Sequence, residues 1–135
     1  MSTGYSGTPL AKKLGIKSGF RVFVDNAPEN YHELVAPLPE DVQFLDAIAP
    51  DLDMIHFFTD QAKDLAGKLK RYPKKLKPNG MFRVSWPKKA SKRPTDVTED
   101  TIRELALPLG LVDVKVCAVD DKWSGLKLVV RKALR

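Results

Sequence analysis

Short apolar runs separated by turn residues divide the chain into six predicted strands. They cover residues 20–24, 42–45, 54–58, 81–85, 112–118 and 126–130. The third run is almost wholly apolar, which is typical of a parallel strand covered on both faces. The last two runs alternate apolar with polar residues and are joined by a short loop, which predicts an antiparallel hairpin.

Helical signals lie between these strands. The spacing of Ala62, Leu65, Ala66, Leu69 and Tyr72 predicts one amphipathic helix. A capping box of Asp96 and Glu99 predicts another, reaching about residue 107. Shorter helices are expected at 9–14, where Thr8 can cap the start, and at 29–35. We expect a tight turn at 78–80 before the fourth strand.

Alternating strands and helices predict an α/β class fold with a mostly parallel sheet and helices on both faces. The length of 135 residues suits a single domain, so residues 1–135 are assigned to one domain, with 1–7 expected to be flexible. Hydrophobic residues make up 43% and charged residues 30%, which is typical of a globular chain. No apolar run is long enough to predict a membrane span.

The cysteine content and the N-terminus bear on location. Cys117 is the single cysteine, which excludes an internal disulfide and a cysteine-based zinc site. The first seven residues lack the basic and apolar parts of a signal peptide. These features predict a cytoplasmic protein.

The net charge of +6 is unevenly distributed. Residues 1–67 contain 5 Lys or Arg and 10 Asp or Glu (net −5), whereas residues 68–135 contain 18 and 7 (net +11). The basic half is either a solvated surface or a surface that meets phosphate or nucleic acid. The cations of 68–77 also complement the end of the predicted helix.

The second half of the chain resembles a class I S-adenosylmethionine methyltransferase, which has a Rossmann-like fold. The matching features are the apolar third strand, the turn Leu76-Lys77-Pro78-Asn79-Gly80, and Leu109-Gly110-Leu111 ahead of the hairpin. With the order of elements, the resemblance implies a three-layer domain of about six strands in the order 2-1-3-4-6-5. Only the last strand in sequence would be antiparallel.

The first half departs from that family. A glycine-rich loop should follow the first strand so that backbone amides approach the cofactor, but this chain has Asp25-Asn26-Ala27-Pro28-Glu29-Asn30. Pro28 has no amide N–H to donate, and Asp46 alone matches the acidic residue expected after the second strand. We therefore expect no cofactor, with S-adenosylmethionine as the alternative.

The whole chain also resembles a bacterial domain-of-unknown-function family. The matching segments are 4–15, Ser85-Trp86-Pro87-Lys88-Lys89, 112–117 and Trp123-Ser124-Gly125-Leu126-Lys127. That family carries no assigned activity, so the resemblance implies no mechanism.

A candidate ligand site follows from the predicted sheet, because ligands bind at the carboxyl ends of parallel strands. The fourth strand ends in an aromatic residue and cations suited to an anion. The predicted ligand-binding residues are Asn26, Thr59, Ser85, Trp86, Lys88 and Lys89. A plugged sheet edge with solvated lysines remains the alternative.

No catalytic or metal motif accompanies this site. His32 and His56 lack partners at ligand spacing, and His56 is expected to be a bonded core histidine. Asp120 and Asp121 are expected in a turn, and Cys117 is expected to be inert. No catalytic residue is assigned.

Three functions remain open at this point. The preferred one is a binding domain for a small anionic ligand, with a degenerate cofactor site and no demonstrable catalysis. The alternative is an S-adenosylmethionine-dependent methyltransferase with an atypical cofactor pocket. The third is a nucleic-acid-binding protein that uses 68–77 and 88–93. Protein partners and oligomeric state are not predicted.

Overall fold

The computed structural model describes residues 9–134. The predictions for residues 1–7 and for Thr8 as a helix cap lie outside the described residues. The strands are β1 Arg21–Asp25, β2 Gln43–Leu45, β3 Leu52–Phe58, β4 Leu76–Pro87, β5 Leu111–Val116 and β6 Trp123–Val130. The helices are α1 Leu10–Leu14, α2 Tyr31–Val35, α3 Ala62–Arg71 and α4 Glu99–Ala106.

All six strands belong to one sheet in the order β2-β1-β3-β4-β6-β5. The pairs β2–β1, β1–β3 and β3–β4 are parallel, and β6 runs antiparallel to both β4 and β5. The predicted strand order is therefore confirmed, as is the single antiparallel strand. The strand order reverses between β1 and β3, so their carboxyl ends flank the point where open α/β sheets bind ligands.

The two faces of the sheet carry separate apolar cores, which confirms three layers. Leu65, Leu69 and Ile102 of α3 and α4 pack on one face. Leu14 of α1 and Tyr31 of α2 pack on the other. Strand residues alternate between the two cores because successive side chains point to opposite faces. No helix among residues 9–134 has the length and apolar character needed to cross a membrane.

The start of β4 differs from the prediction. The expected turn at 78–80 is wrong, because β4 runs through these residues from Leu76. The paired residues change from Leu52 and Leu76 to Met54 and Met81. Over this interval β4 advances by five residues while β3 advances by two. The Pro-Asn-Gly sequence thus produces an irregularity inside one strand, as Pro and Gly often do at bulges.

The predicted capping box is also wrong. Thr98 is the residue that caps α4, and its side chain accepts a hydrogen bond from the Thr101 N–H at 3.1 Å. Asp96 instead accepts from the backbone N–H of Ala62 at the start of α3, at 2.7 Å. The long-range bond replaces the local one because the two helix starts lie side by side.

Strand β5 forms an edge of the sheet and is irregular. Its pairing with β6 passes from Asp113–Leu128 to Lys115–Lys127, so one extra residue, Val114, is inserted on the β5 side. The strand ends at Val116 rather than at the predicted residue 118.

Candidate functional site

The six predicted ligand-binding residues lie near the carboxyl edge of the sheet, but the structure brings only Trp86, Lys88 and Lys89 together around one pocket. Ser85 and Trp86 are successive residues of β4, which continues to Pro87. Their side chains therefore point to opposite faces of the sheet. The sequence prediction assigned both residues to one ligand site because the predicted strand ended at Ser85.

Ser85 belongs to a buried hydrogen-bonded chain. The His56 Nε2 atom lies 2.8 Å from Ser85 Oγ, and His56 Nδ1 lies 3.0 Å from the Tyr31 hydroxyl. A neutral imidazole has one N–H and one lone pair, and this chain satisfies both. Burial, followed by the nearby Arg83 charge, lowers the pKa of His56 to about 3. Burial likewise raises the pKa of Tyr31. The expected bonded core histidine is what the structure shows.

Thr59 is also buried and engaged within the protein. Its backbone N–H donates to the Ser85 carbonyl at 3.0 Å, which joins β3 to β4. Its hydroxyl accepts from the Gln61 N–H at 3.1 Å and lies 3.3 Å from an Asp64 carboxylate oxygen. The Thr59 hydroxyl therefore stabilises the start of α3 by bonding the residue that precedes it.

Asn26 occupies the position where the turn after β1 begins. Its φ is +59°, a left-handed conformation that glycine adopts freely and asparagine tolerates. Its side-chain amide donates to the carbonyl oxygen of Phe58 at 3.0 Å. The turn thus has a backbone conformation typical of glycine, but the amide group is used to bridge β1 and β3.

Asp25, the last residue of β1, is bound by two side chains of the adjoining helical segment. Lys68 Nζ lies 2.8 Å away and the Tyr72 hydroxyl 2.5 Å away from the same carboxylate oxygen. Burial alone would lower the pKa of Lys68, but its hydrogen bonds to Asp25 and Tyr72 raise it overall. The carboxylate is therefore already neutralised by an internal cation.

A cavity on the α3 and α4 side gathers the cations predicted for the site. This Trp86 pocket has a volume of about 660 Å³, and the residues that matter for its chemistry are Trp86, Thr98, Lys88, Lys89, Lys92 and Arg93. Trp86 is only 8% exposed, whereas Lys89, Lys92 and Arg93 are exposed and Lys88 is half-buried. Thr98 places the start of α4 at the wall of the pocket.

A second cavity of about 660 Å³ lies at the same edge. This Asn26 cleft is formed by residues 26–30, residues 120–123 and Arg93. Its acids, Glu29, Asp120 and Asp121, outnumber its cations, Arg93 and Lys122. Asp120 holds the turn before β6, since one of its oxygens accepts from the N–H groups of Lys122 and Trp123, both at 2.8 Å. The expected turn role of Asp120 is confirmed.

The loop after β4 separates the two cavities, and Arg93 lines both. Arg93 Nε and Nη2 each lie 3.0 Å from one oxygen of Asp60, and the guanidinium sits 5.4 Å from the Trp123 ring centre. The Thr95 hydroxyl donates to the Asp60 carbonyl at 2.8 Å. These bonds hold the loop across the end of β3.

Cys117 and the acidic and histidine side chains form no metal site in the part of the chain that the structure describes. Cys117 is 9% exposed and follows β5. Among residues 9–134, no three His, Cys, Asp or Glu side chains are grouped so that they could hold a metal ion.

Sequence reasoning missed Arg83, which is 3% exposed in the middle of β4. Its Nε donates to the Leu14 carbonyl at 2.9 Å and its Nη2 to the Lys13 carbonyl at 3.3 Å, so it caps the end of α1. An arginine inside an otherwise apolar strand was the available signal, because arginine is rarely buried without a partner.

No protein-family model and no curated protein matches the sequence. Solved structures do match the fold. A SAM-dependent methyltransferase from Aquifex aeolicus has a TM-score of 0.63 at 14% identity, covering 90% of this chain and 87% of the other. Aeropyrum pernix fibrillarin with bound S-adenosyl-L-methionine has a TM-score of 0.58 at 12% identity, covering 93% and 70%.

A third similar structure is a putative methyltransferase from Haloferax volcanii in complex with the Trm112 activator. Its TM-score is 0.62 at 13% identity, covering 90% of this chain and 89% of the other. These likenesses show that the chain has a class I methyltransferase-like, Rossmann-like fold. At such identities they show the fold alone, and function has to be argued from the site.

Proposed function

We propose that this chain is a binding domain on a methyltransferase-like fold, and that its ligand is a small molecule with an aromatic ring and an anionic group. The ligand binds in the Trp86 pocket. The observation that carries the proposal is the grouping of Lys88, Lys89 and Lys92 around a cavity that Trp86 also lines.

The charges of the pocket favour an anion. None of the ion pairs within residues 9–134 includes Lys88, Lys89 or Lys92. The first amide groups of α4, capped by Thr98, add the positive end of a helix dipole at the same wall. Lysines bind phosphate or carboxylate groups as point charges without fixed geometry.

The acidic groups at the pocket do not cancel this charge. Glu99 lies at the wall, but its carboxylate is paired with Arg103 of the next helical turn. Asp96 nearby accepts from Ala62 N–H. The volume of about 660 Å³ falls within the usual range for small-molecule sites.

Adenosine 5′-monophosphate is a suitable probe because it combines a ring with a phosphate. We expect it to shift the indole N–H signal of Trp86 in a proton–nitrogen NMR titration, and adenosine to shift it far less. K88A/K89A should weaken the binding about tenfold or more. The matched control is K74A/K75A, which removes two exposed lysines distant from this pocket.

Both variants should fold, because exposed lysines contribute little to stability. Equal affinity of K88A/K89A and the parent would place the site elsewhere. A Trp86 signal that no concentration of the nucleotide perturbs would contradict the proposal for this class of ligand.

An S-adenosylmethionine-dependent methyltransferase is the second candidate, and the fold likeness favours it. The specific observation in its support is the Asn26 cleft, which opens beside the strand-order reversal behind a left-handed turn residue. Against it, Asp25, Asn26 and Thr59 are all bonded within the protein, and Pro28 offers no N–H. The polar groups present therefore fit the cofactor poorly, although the shape of the turn suits it.

Calorimetry with S-adenosylmethionine and S-adenosylhomocysteine separates the two candidates. Under the binding-domain proposal both compounds bind far more weakly than adenosine 5′-monophosphate, because each carries an ammonium group beside its carboxylate. Micromolar affinity for either one would make the methyltransferase the preferred function.

The single cysteine supports the cytoplasm as the proposed location.

A further inference from the structure

Four residues of basic type form one row across the sheet, and three of them, all except the neutral His56, carry a positive charge. His56 of β3 is paired with Arg83 of β4, Arg83 with Lys127 of β6, and Lys127 with Lys115 of β5. Residues directly opposite each other share a face of the sheet and lie about 5 Å apart at Cβ. The row lies on the face covered by α1 and α2, away from the Trp86 pocket.

In the part of the chain that the structure describes, no carboxylate forms an ion pair with this row. Arg83, Lys127, Lys115 and Lys17 take part in none of the ion pairs within residues 9–134. One guanidinium nitrogen of Arg83, Nη1, is buried and has no hydrogen-bond partner there. Buried polar atoms in native structures are nearly always bonded, so the Arg83 guanidinium keeps an unused donor beside the row.

A cavity opens beside the row. This Lys127 cavity has a volume of about 390 Å³, and it is lined by Lys17 after α1, Phe20, Asn79 and Lys127 among others. Asp53 is the acidic residue at its wall, and its two oxygens are bound by Lys77 Nζ at 3.0 Å and by the Arg21 N–H at 2.8 Å. That carboxylate is therefore neutralised and does not repel an anion strongly.

We propose that a small phosphate-bearing molecule binds in the Lys127 cavity, with Lys17 and Lys127 contacting the phosphate. The buried Arg83, opposite Lys127 on the neighbouring strand, adds positive charge without lining the cavity. The Asn79 amide offers a neutral donor. Phe20 offers an apolar contact for the organic part of the ligand. The cavity is too small for a dinucleotide but fits a phosphorylated three-carbon compound.

Electrostatics of the free protein support this site. Burial, and then Arg83, Lys115 and Lys17, lower the pKa of Lys127. Like charges directly opposite in a sheet destabilise it, so the row costs folding free energy until an anion offsets it. A dianion beside Lys127 would relieve the repulsion of three cations at once, which is why phosphate is favoured over a single carboxylate.

The test is a proton–nitrogen NMR titration of the whole chain with inorganic phosphate, with chloride used to keep the ionic strength constant. We expect saturable shifts of the Gly15 and Asn79 amide signals, with a Kd of about 1 mM or tighter. Glycerol 3-phosphate should bind at least as tightly as inorganic phosphate. Weaker binding of the ester would overturn the organic part of the proposal.

K17A/K127M tests the lysines, because methionine keeps the length of the Lys127 stem while removing its charge. This variant should lose affinity about tenfold or more. The controls are K132A, an exposed lysine near the chain end, and K88A/K89A, which should leave phosphate binding here unchanged. Loss in K88A/K89A alone would instead assign the phosphate to the Trp86 pocket and overturn the second site.

Thermal unfolding separates binding from packing. Without phosphate, K127M should be as stable as the parent, since repulsion from Arg83 is removed. With phosphate, the parent should gain a higher Tm and K127M should gain little. A loss of stability in K127M that is equal with and without phosphate would show that Lys127 serves packing only, and shifts that never saturate would show that phosphate has no site.

Discussion

The Asn26 side-chain amide donates to the Phe58 carbonyl oxygen at 3.0 Å, and this bond joins the carboxyl ends of two parallel strands. The same residue has a φ of +59°. Asn26 thus adopts the left-handed conformation that the turn requires, and its side chain links the ends of β1 and β3. These strand ends flank the point where the fold would accept a ligand.

Replacement of Asn26 separates these two roles. Asn26→Ala loses the hydrogen bond and strains the left-handed turn, which together should cost about 2 kcal/mol of unfolding free energy. Asn26→Gly loses only the bond and should cost about 1 kcal/mol or less. Urea unfolding measures both. Equal losses would show that the turn conformation carries no strain.

The buried His56 predicts a pH dependence of stability. Its pKa is lowered to about 3 in the folded chain, against about 6.5 in the unfolded chain. The unfolded chain therefore binds a proton that the folded chain does not, and stability falls as pH drops below about 6.5. The loss reaches at most about 1.4 kcal/mol per pH unit.

Urea unfolding at pH 7 and pH 5 checks the pH effect above the range where carboxylates titrate. His56→Gln should reduce the difference in unfolding free energy between the two pH values, and His32→Gln, at an exposed position, is the matched comparison. Direct NMR on the parent chain gives a second measurement: the His56 ring signals should keep their neutral positions at pH 5. A ring that gains its proton above pH 5 would refute the assignment.

Two glycines are expected to respond oppositely to alanine. A Cβ at Gly125 would lie 2.6 Å from the carbonyl oxygen of Cys117, so Gly125→Ala should destabilise the hairpin by about 1–3 kcal/mol. A Cβ at Gly67, inside α3, would meet nothing within 4 Å, so Gly67→Ala should stabilise the chain by about 0.5–1 kcal/mol. Thermal unfolding of the two variants provides the comparison, and a neutral Gly125→Ala would mean that the strand can shift away.

The basic surface leads to a prediction about nucleic acid. Lys68 and Lys77 are already paired with Asp25 and Asp53, which leaves Lys70, Arg71, Lys74 and Lys75 exposed. Any affinity for nucleic acid should fall steeply between about 50 mM and about 200 mM salt, because counterions are released on binding. Gel shifts at the two salt concentrations test it, with K74A/K75A and K88A/K89A distinguishing the two surfaces. Absence of binding at the lower salt would end this third function.

The order of the strands could be predicted because apolar runs and alternation report burial directly. The third strand of the prediction and β3 nearly coincide, since burial on both faces leaves few polar positions. The site was harder. Ser85 and Trp86 are separated by the sheet itself, because the fourth strand continues two residues past its predicted end and successive strand side chains point to opposite faces.

Long-range polar contacts were outside the reach of local patterns. Asp96 followed by Glu99 has the form of a local cap, yet Asp96 binds the start of another helix 34 residues away. Arg83 gave a local signal, but its partners are backbone carbonyls of α1. Such bonds depend on which helices and strands become neighbours in the fold, and local sequence patterns do not show which elements those are.

The extra residue in β5 has a consequence for how the sheet can grow. A regular edge strand offers an even row of N–H and C=O groups to which another chain can add. Val114 interrupts that row in the middle of a six-residue strand, and Lys115 follows it. An incoming strand would have to leave backbone groups unbonded and approach a lysine, so this edge discourages uncontrolled stacking of one molecule onto the next.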